Sequence, residues 1–207
     1  HASAEFTWIH IMNAYRKFTL AINNKEDWRK VSNEDFLRAK ELYGKKIGIV
    51  GMGRIGKKLA NYAEAFGMSV VWYDPYVEME KYNKVNNLND LKDCDILSIN
   101  CYLTDETKEL ITYGTLDDFK TGLLVVNTSR GEVVNEDYIY DLIVTDEIIY
   151  STDVLRNEQD LELLRSSKLY NLKHDGFTVT PHVAGATDES QIKSLSSVLK
   201  TCKESVG

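Results

Sequence analysis

The chain has 207 residues, of which 43% are apolar. That is enough for one large domain or two small ones with a real core, and it excludes a disordered chain. The net charge is −7 with scattered lysines, which argues against a nucleic-acid backbone as partner. There is no apolar run of the ~18 residues a membrane span needs, and the first residues are not expected to act as a secretion signal. The three cysteines, Cys94, Cys101 and Cys202, lack metal-ligand spacing and read as reduced thiols of a cytoplasmic protein.

Residues 4–22 predict a helix. Trp8, Ile11, Met12, Tyr15, Phe18 and Ile22 form one stripe, widened by Phe6, Ile9 and Leu20. So much aromatic surface suits either its own sheet or a second domain or subunit, and both readings stay open. Residues 23–43 are polar, with Trp28 as an isolated anchor, and read as a linker with a short helix near 35–42.

The apolar run Ile47 to Val50 ends at Gly51-Met52-Gly53-Arg54-Ile55-Gly56, and a helical pattern through Leu59, Tyr62, Ala63 and Phe66 follows. Three glycines between a strand and a helix meet the dinucleotide fingerprint in its required context. Gly51 allows the tight turn, Gly53 admits a pyrophosphate to the backbone, and Gly56 lets the helix lie close to the sheet. The helix N-terminus then offers N–H groups and a positive dipole end to the phosphates. A second strand, Ser69 to Tyr73, ends in Asp74, about where a ribose-binding acid belongs.

Further along, a weak strand is expected near 84–86 and a short helix around Leu88 and Leu91. Strands are expected at 96–99, 122–127, 148–152 and 177–180. A helical turn opens at Thr104, Asn135 caps a helix to about Val144, and a last helix runs from Asp188 to about Lys203. Strands alternating with helices predict an α/β, doubly wound parallel sheet covered on both faces.

In such sheets ligands sit beyond the carboxyl ends of the strands. The residues just past those ends are Asp74, Asn100 to Tyr102, Thr128 to Arg130, Asp153 and His182. Arg130 is a fixed planar cation suited to a carboxylate. His182 is the histidine at a strand exit, the usual acid–base type near neutral pH. A neighbouring carboxylate would orient it, with Asp153 and Glu158 as candidates. Together past the strands of a dinucleotide fold, these residues favour hydride transfer.

Four ordered motifs carry a resemblance: the glycine loop 51–56, Asn127-Thr128-Ser129-Arg130-Gly131, the stretch Asp153 to Glu158, and Thr180-Pro181-His182 running on to Thr187. They resemble the D-isomer-specific 2-hydroxyacid dehydrogenases over nearly the whole chain. The resemblance implies NAD as cofactor and a small 2-hydroxy or 2-keto acid as substrate. It implies Arg130 as the substrate-carboxylate arginine, His182 as the acid–base and Glu158 as its partner. Among cofactor contacts it implies Gly51, Gly53, Arg54, Ile55 and Gly56 at the pyrophosphate, and Asp74 at the adenosine ribose. Thr107, Thr128 and Asp153 fall near the nicotinamide, and Cys101, Tyr102, Ser129, His182 and Gly185 complete the set.

The sequence departs from the family at Asn100, often His, and at Tyr102 and Gln159, usually Pro. The resemblance further implies a cofactor domain excised from a two-domain enzyme. Residues 1–44 would be the interdomain and homodimer helix with its linker, 45–187 the dinucleotide-binding domain, and 188–207 the start of a helix returning to the missing substrate domain. Two rivals share the core: a non-catalytic NAD-sensing module like the family's co-repressors, and an adenosylhomocysteine-hydrolase-like enzyme. The spacing of Asp153, Glu158 and His182 argues against the second.

Overall fold

The computed structural model describes residues 1–27 and 37–196. Seven parallel strands form one sheet: β1 (Lys46–Val50), β2 (Ser69–Tyr73), β3 (Asn83–Lys84), β4 (Ile96–Ile99), β5 (Leu123–Asn127), β6 (Ile148–Thr152) and β7 (Phe177–Val179). Their spatial order is β3-β2-β1-β4-β5-β6-β7, so the winding reverses between β1 and β4. The expected doubly wound α/β fold is present, with β3 at 83–84 rather than 84–86.

The central strands are buried along their length, as strands covered on both faces must be. The side-chain period of two divides them between two cores. Ile47, Ile49, Ile96, Leu124 and Val126 face one core, with Trp72, Leu59 and Ala63. Val50, Leu97, Ile99, Leu123 and Val125 face the other, with Ile139, Ile143 and Tyr150. The first core is roofed by α1 (Ala2–Arg16) and α3 (Arg54–Ala65), the second by α4 (Glu136–Val144). The expected Asn135 cap is observed: its side chain accepts the Tyr138 N–H.

The single helix expected over 4–22 is two. Lys17 takes a left-handed conformation (φ 50°) and ends α1, and α2 (Phe18–Asn23) follows as a separate helix. Asn13 Oδ1 accepts from both the N–H and the hydroxyl of Thr19, which holds the break. The apolar stripe is split accordingly. Ile11 and Tyr15 are buried against the sheet, and Trp8 meets Tyr62 and Phe66 edge-on. Ile9, Phe18 and Ile22 stay exposed. The inner half of the stripe therefore covers its own sheet.

Trp28 and residues 35 and 36 of the expected linker helix lie outside the described residues, and 37–42 are not helical. Helix α5 (Leu161–Ser166), capped by Asp160, was not expected. It is six residues long with Leu161 and Leu163 exposed, so it shows no apolar periodicity to read. Residues 188–196 are helical as expected, and the continuation to Lys203 lies outside the described residues. No helix among the described residues is long and apolar enough to cross a membrane.

Candidate active site

Because all strands are parallel, their carboxyl ends open on one edge of the sheet, and the strand-end residues gather there in two groups.

The first group sits over β1, β2 and β4. Gly51 adopts φ +94°, and a Cβ there would stand 2.8 Å from the Cys101 backbone nitrogen. Only glycine satisfies both demands. A Cβ on Gly56 would collide with the Gly51 carbonyl oxygen, so α3 approaches the turn backbone to backbone. Gly53, by contrast, has open space where its Cβ would be. It is the N-cap of α3, with Arg54 and Ile55 opening the helix. Open backbone at a helix N-terminus fits a pyrophosphate, whose charge the unpaired first-turn N–H groups would meet.

Asp74 accepts from Met52 N–H and Tyr76 N–H, both at 2.9 Å, which ties the end of β2 to the glycine turn. A cavity of about 600 Å³ opens here, lined among others by Gly51, Gly53, Asp74, Cys101, Tyr102 and Thr107. Its rim carries two further carboxylates, Asp105 and Glu106, and Glu106 accepts a hydrogen bond from the Tyr76 hydroxyl. Thr107 closes the loop beyond β4: its hydroxyl donates to the Tyr102 carbonyl at 2.5 Å and accepts from the Thr104 N–H at 2.8 Å. Burial pushes the Cys101 thiol up to about 11, so it stays protonated and unreactive at neutral pH.

The second group sits over β5, β6 and β7. Asn127 at the end of β5 shapes the next loop. Its Oδ1 accepts from Ser129 N–H and hydroxyl, and its Nδ2 donates to the Arg130 carbonyl. Gly131 has no room for a Cβ, which would strike the Leu155 and Arg156 backbone. The loops after β5 and β6 therefore touch main chain to main chain.

His182 Nδ1 lies 2.5 Å from Glu158 Oε1, with the ring part exposed and the carboxylate more covered. The backbone is unusual at His182 and beside Glu158. His182 has φ 54°, and Asn157, next to Glu158, has φ 57°. A left-handed non-glycine residue costs about 1–2 kcal/mol, and such strain clusters at functional sites. Asp153 is fully buried. Its Oδ1 accepts from the Thr180 hydroxyl (2.5 Å) and Val183 N–H (3.0 Å), and its Oδ2 from Ala184 N–H (2.7 Å). Of the two carboxylates that could have partnered His182, Glu158 does so, and Asp153 instead holds the loop that carries it.

A cavity of about 370 Å³ is bounded by Asp153, Glu158 and His182 with an apolar wall including Leu155, Leu161, Leu164 and Tyr170. Arg130 is exposed, donating to the preceding Ser129 carbonyl at 2.6 Å, and lines neither cavity. Thr128, Ser129 and Gly185 also lie outside both linings.

Sequence reasoning missed the contribution of α1. Thr7 Oγ1 lies 2.6 Å from Thr128 Oγ1, and His10 reaches Ser151 and Thr180. The available signal was two polar residues three apart on a helix otherwise apolar on that side. Asn127 could have been found as an Asx turn after a strand. Among the described residues no cluster of three or more His, Cys, Asp or Glu could hold a metal ion.

Fold, glycine turn and the acid at the end of β2 together fit a dinucleotide-binding domain. Residues 8–184 match the family model of the D-isomer specific 2-hydroxyacid dehydrogenase NAD binding domain, and the chain belongs to that family. It is 34% identical over 158 residues to a hydroxypyruvate reductase of Thermotoga maritima, covering 75% of this chain and 51% of that protein. It is 34% identical over 203 residues to a glyoxylate reductase of Aeropyrum pernix, covering 93% of this chain and 59% of the relative. The fold matches that of D-lactate dehydrogenase from Aquifex aeolicus, complexed with NAD and lactic acid, with a TM-score of 0.88 and 28% identity. That match covers all of this chain and 66% of the other. The chain thus spans about half to two thirds of these three proteins, and as little as 29% of longer relatives.

Proposed function

We propose that this chain is the cofactor-binding part of an NAD-dependent oxidoreductase that interconverts a small D-2-hydroxy acid and its 2-keto acid. The observation that carries the reading is the His182–Glu158 pair at 2.5 Å, on the same sheet edge as the glycine turn. Bound NAD supplies the hydride acceptor or donor. Glu158 takes the Nδ1 side of the ring, which leaves His182 Nε2 to receive the proton of the substrate hydroxyl, or to return it in reduction. Arg130 swings from the Ser129 carbonyl to the substrate carboxylate and binds it through its planar fork. Asp74 accepts the adenosine ribose hydroxyls, and with Asp105 and Glu106 it makes the pocket hostile to a 2′-phosphate.

Residues 1–44, 45–187 and 188–207 are read as an interdomain helix with linker, the dinucleotide domain, and a segment returning to a substrate domain outside this chain. Without that domain water is not excluded from the site, so the 207 residues alone bind NAD but turn over little. Exposed Ile9, Phe18 and Ile22 favour a twofold dimer through the first helices, which sedimentation at micromolar concentration checks.

The functional test is NADH and NADPH oxidation with glyoxylate, hydroxypyruvate and pyruvate, using the full-length protein that contains this chain. NADH-dependent reduction of at least one is expected. Reduction of none, with NAD bound and a protein partner captured, would favour the non-catalytic NAD-sensing module; preference for NADPH would remove the role given to Asp74.

A further inference from the structure

Helix α1 carries a buried polar pair on the face that meets the sheet: Thr7 is 0% and His10 3% exposed. Side chains at such positions are ordinarily apolar, because burying a polar group is costly unless it is fully hydrogen-bonded. His10 is fully bonded. Its Nδ1 lies 2.7 Å from Ser151 Oγ, and its Nε2 3.1 Å from Thr180 Oγ1.

The proton on each atom follows from counting. The Thr180 hydroxyl has one hydrogen, and it is directed at Asp153 Oδ1 at 2.5 Å. The Thr180 oxygen can therefore only accept from His10, which fixes the Nε2–H tautomer. Nδ1 then accepts from the Ser151 hydroxyl. Burial lowers the His10 pKa, against a smaller opposing pull from Asp153, which agrees with a neutral ring.

The result is a head-to-tail chain of donors: Ser151 to His10, His10 to Thr180, and Thr180 to Asp153. Asp153 uses its remaining capacity on the N–H groups of Val183 and Ala184, and its own carbonyl accepts the His182 N–H at 2.9 Å. Hydrogen bonds aligned in this way polarise and strengthen one another. The loop they end on is the one with His182 held at φ 54°, a conformation that surrounding contacts must impose.

We propose that His10 is a positioning residue for His182: through Thr180 and Asp153 it fixes the 180–184 loop so that the imidazole meets Glu158. The proposal rests on the dehydrogenase reading for its kinetic consequence but not for its structural one.

Three substitutions separate the two ring contacts. His10→Gln places a donor where Nε2 is and keeps the Thr180 contact. His10→Asn reaches only to the Nδ1 position and keeps Ser151. His10→Leu keeps neither. The first readout is the His182 ring nitrogen shifts in proton–nitrogen spectra of this chain, with Glu158→Gln marking the broken pair. His10→Asn and His10→Leu should move His182 toward the Glu158→Gln shifts, while His10→Gln stays near the native ones.

The second readout is kinetic, in the full-length protein. The Asn and Leu variants should lose about 10- to 100-fold in kcat, the scale expected for a misplaced acid–base group. The Gln variant should stay within about twofold, and the NAD Kd should not change in any. In a Thr180→Val background, His10→Asn should add nothing further.

Folded Asn and Leu variants with native His182 shifts and native kcat would overturn the proposal. So would a kcat loss as large in Gln as in Leu, which a merely structural role would give. A native protein with no turnover would instead remove the dehydrogenase reading, and the ring shifts would still decide the positioning.

Discussion

The two halves of the strand-end edge are built by different means. Over β1, β2 and β4 the site is made of backbone: a glycine turn with one left-handed residue, a helix N-terminus, and Asp74 bonded to N–H groups two and 22 residues away. Over β5 to β7 it is made of side chains and loops that hold each other across long stretches of sequence. Thr7 meets Thr128, His10 meets Thr180, and the loop at Gly131 lies against that at Leu155. The first half is a nearly self-contained local structure. The second exists only once α1 has docked and the loops after β5 and β6 have closed on each other. Damage to the second should therefore leave cofactor binding largely intact, and the converse should also hold.

Gly131→Ala breaks the second half most severely. Its Cβ would run into fixed backbone, which cannot yield as a flexible side chain would. A loss of about 3 kcal/mol or more is expected, at or beyond the usual upper end for overpacking. Denaturant unfolding measures it, and NAD titration on the fraction that folds should show near-native affinity. Gly56→Ala is the mirror case, since its Cβ would strike the Gly51 carbonyl and prise α3 from the turn. It should abolish NAD binding while leaving the His182–Glu158 pair formed. Equal loss of both functions in either variant would show that the halves are not separable.

A smaller effect sharpens the same division through pH. His10 has its pKa lowered in the fold from the ordinary 6.5, chiefly by burial. Below pH 6.5 the unfolded chain therefore binds more protons at this site than the folded one. Stability supplied by neutral His10 is present above that pH and is lost as pH falls toward the folded pKa. The slope from this one proton cannot exceed about 1.4 kcal/mol per pH unit. His10→Gln has no such proton, so its stability between pH 7 and 5 should fall less steeply than the native protein's in paired denaturation curves. Parallel curves would mean that His10 titrates alike in both states.

The same contrast explains what the sequence could tell. The glycine turn, Asp74 and the strands were legible because each demand is local. A turn needs Gly51, a helix approach needs Gly56, and apolar runs of four or five residues make buried strands. His182 was legible as a strand-end residue through the fold rule, and Glu158 as its candidate partner through the family motif. What could not be read was how they are held. His10 lies 141 residues from Ser151 and 170 from Thr180, and its place on the apolar side of the helix, three residues from Thr7, marks it as inward-facing without naming the partners it reaches. The break at Lys17 was hidden for a related reason. The apolar stripe runs through it without interruption, and only the Asn13–Thr19 contacts mark it. Helix α5 had too short and too exposed a pattern to register.

The most direct measurement compares His182→Ala with the native full-length protein in two assays on the same preparation: NADH-dependent reduction of the best 2-keto acid, and NAD binding by calorimetry. kcat should fall by about 10²–10⁴-fold, the range for loss of a general acid–base, while the NAD Kd should stay within about twofold because the contacts proposed for it lie mainly over β1, β2 and β4. Turnover that survives the substitution, or NAD affinity that falls with it, would contradict the assignment of His182 and the separation of the two halves.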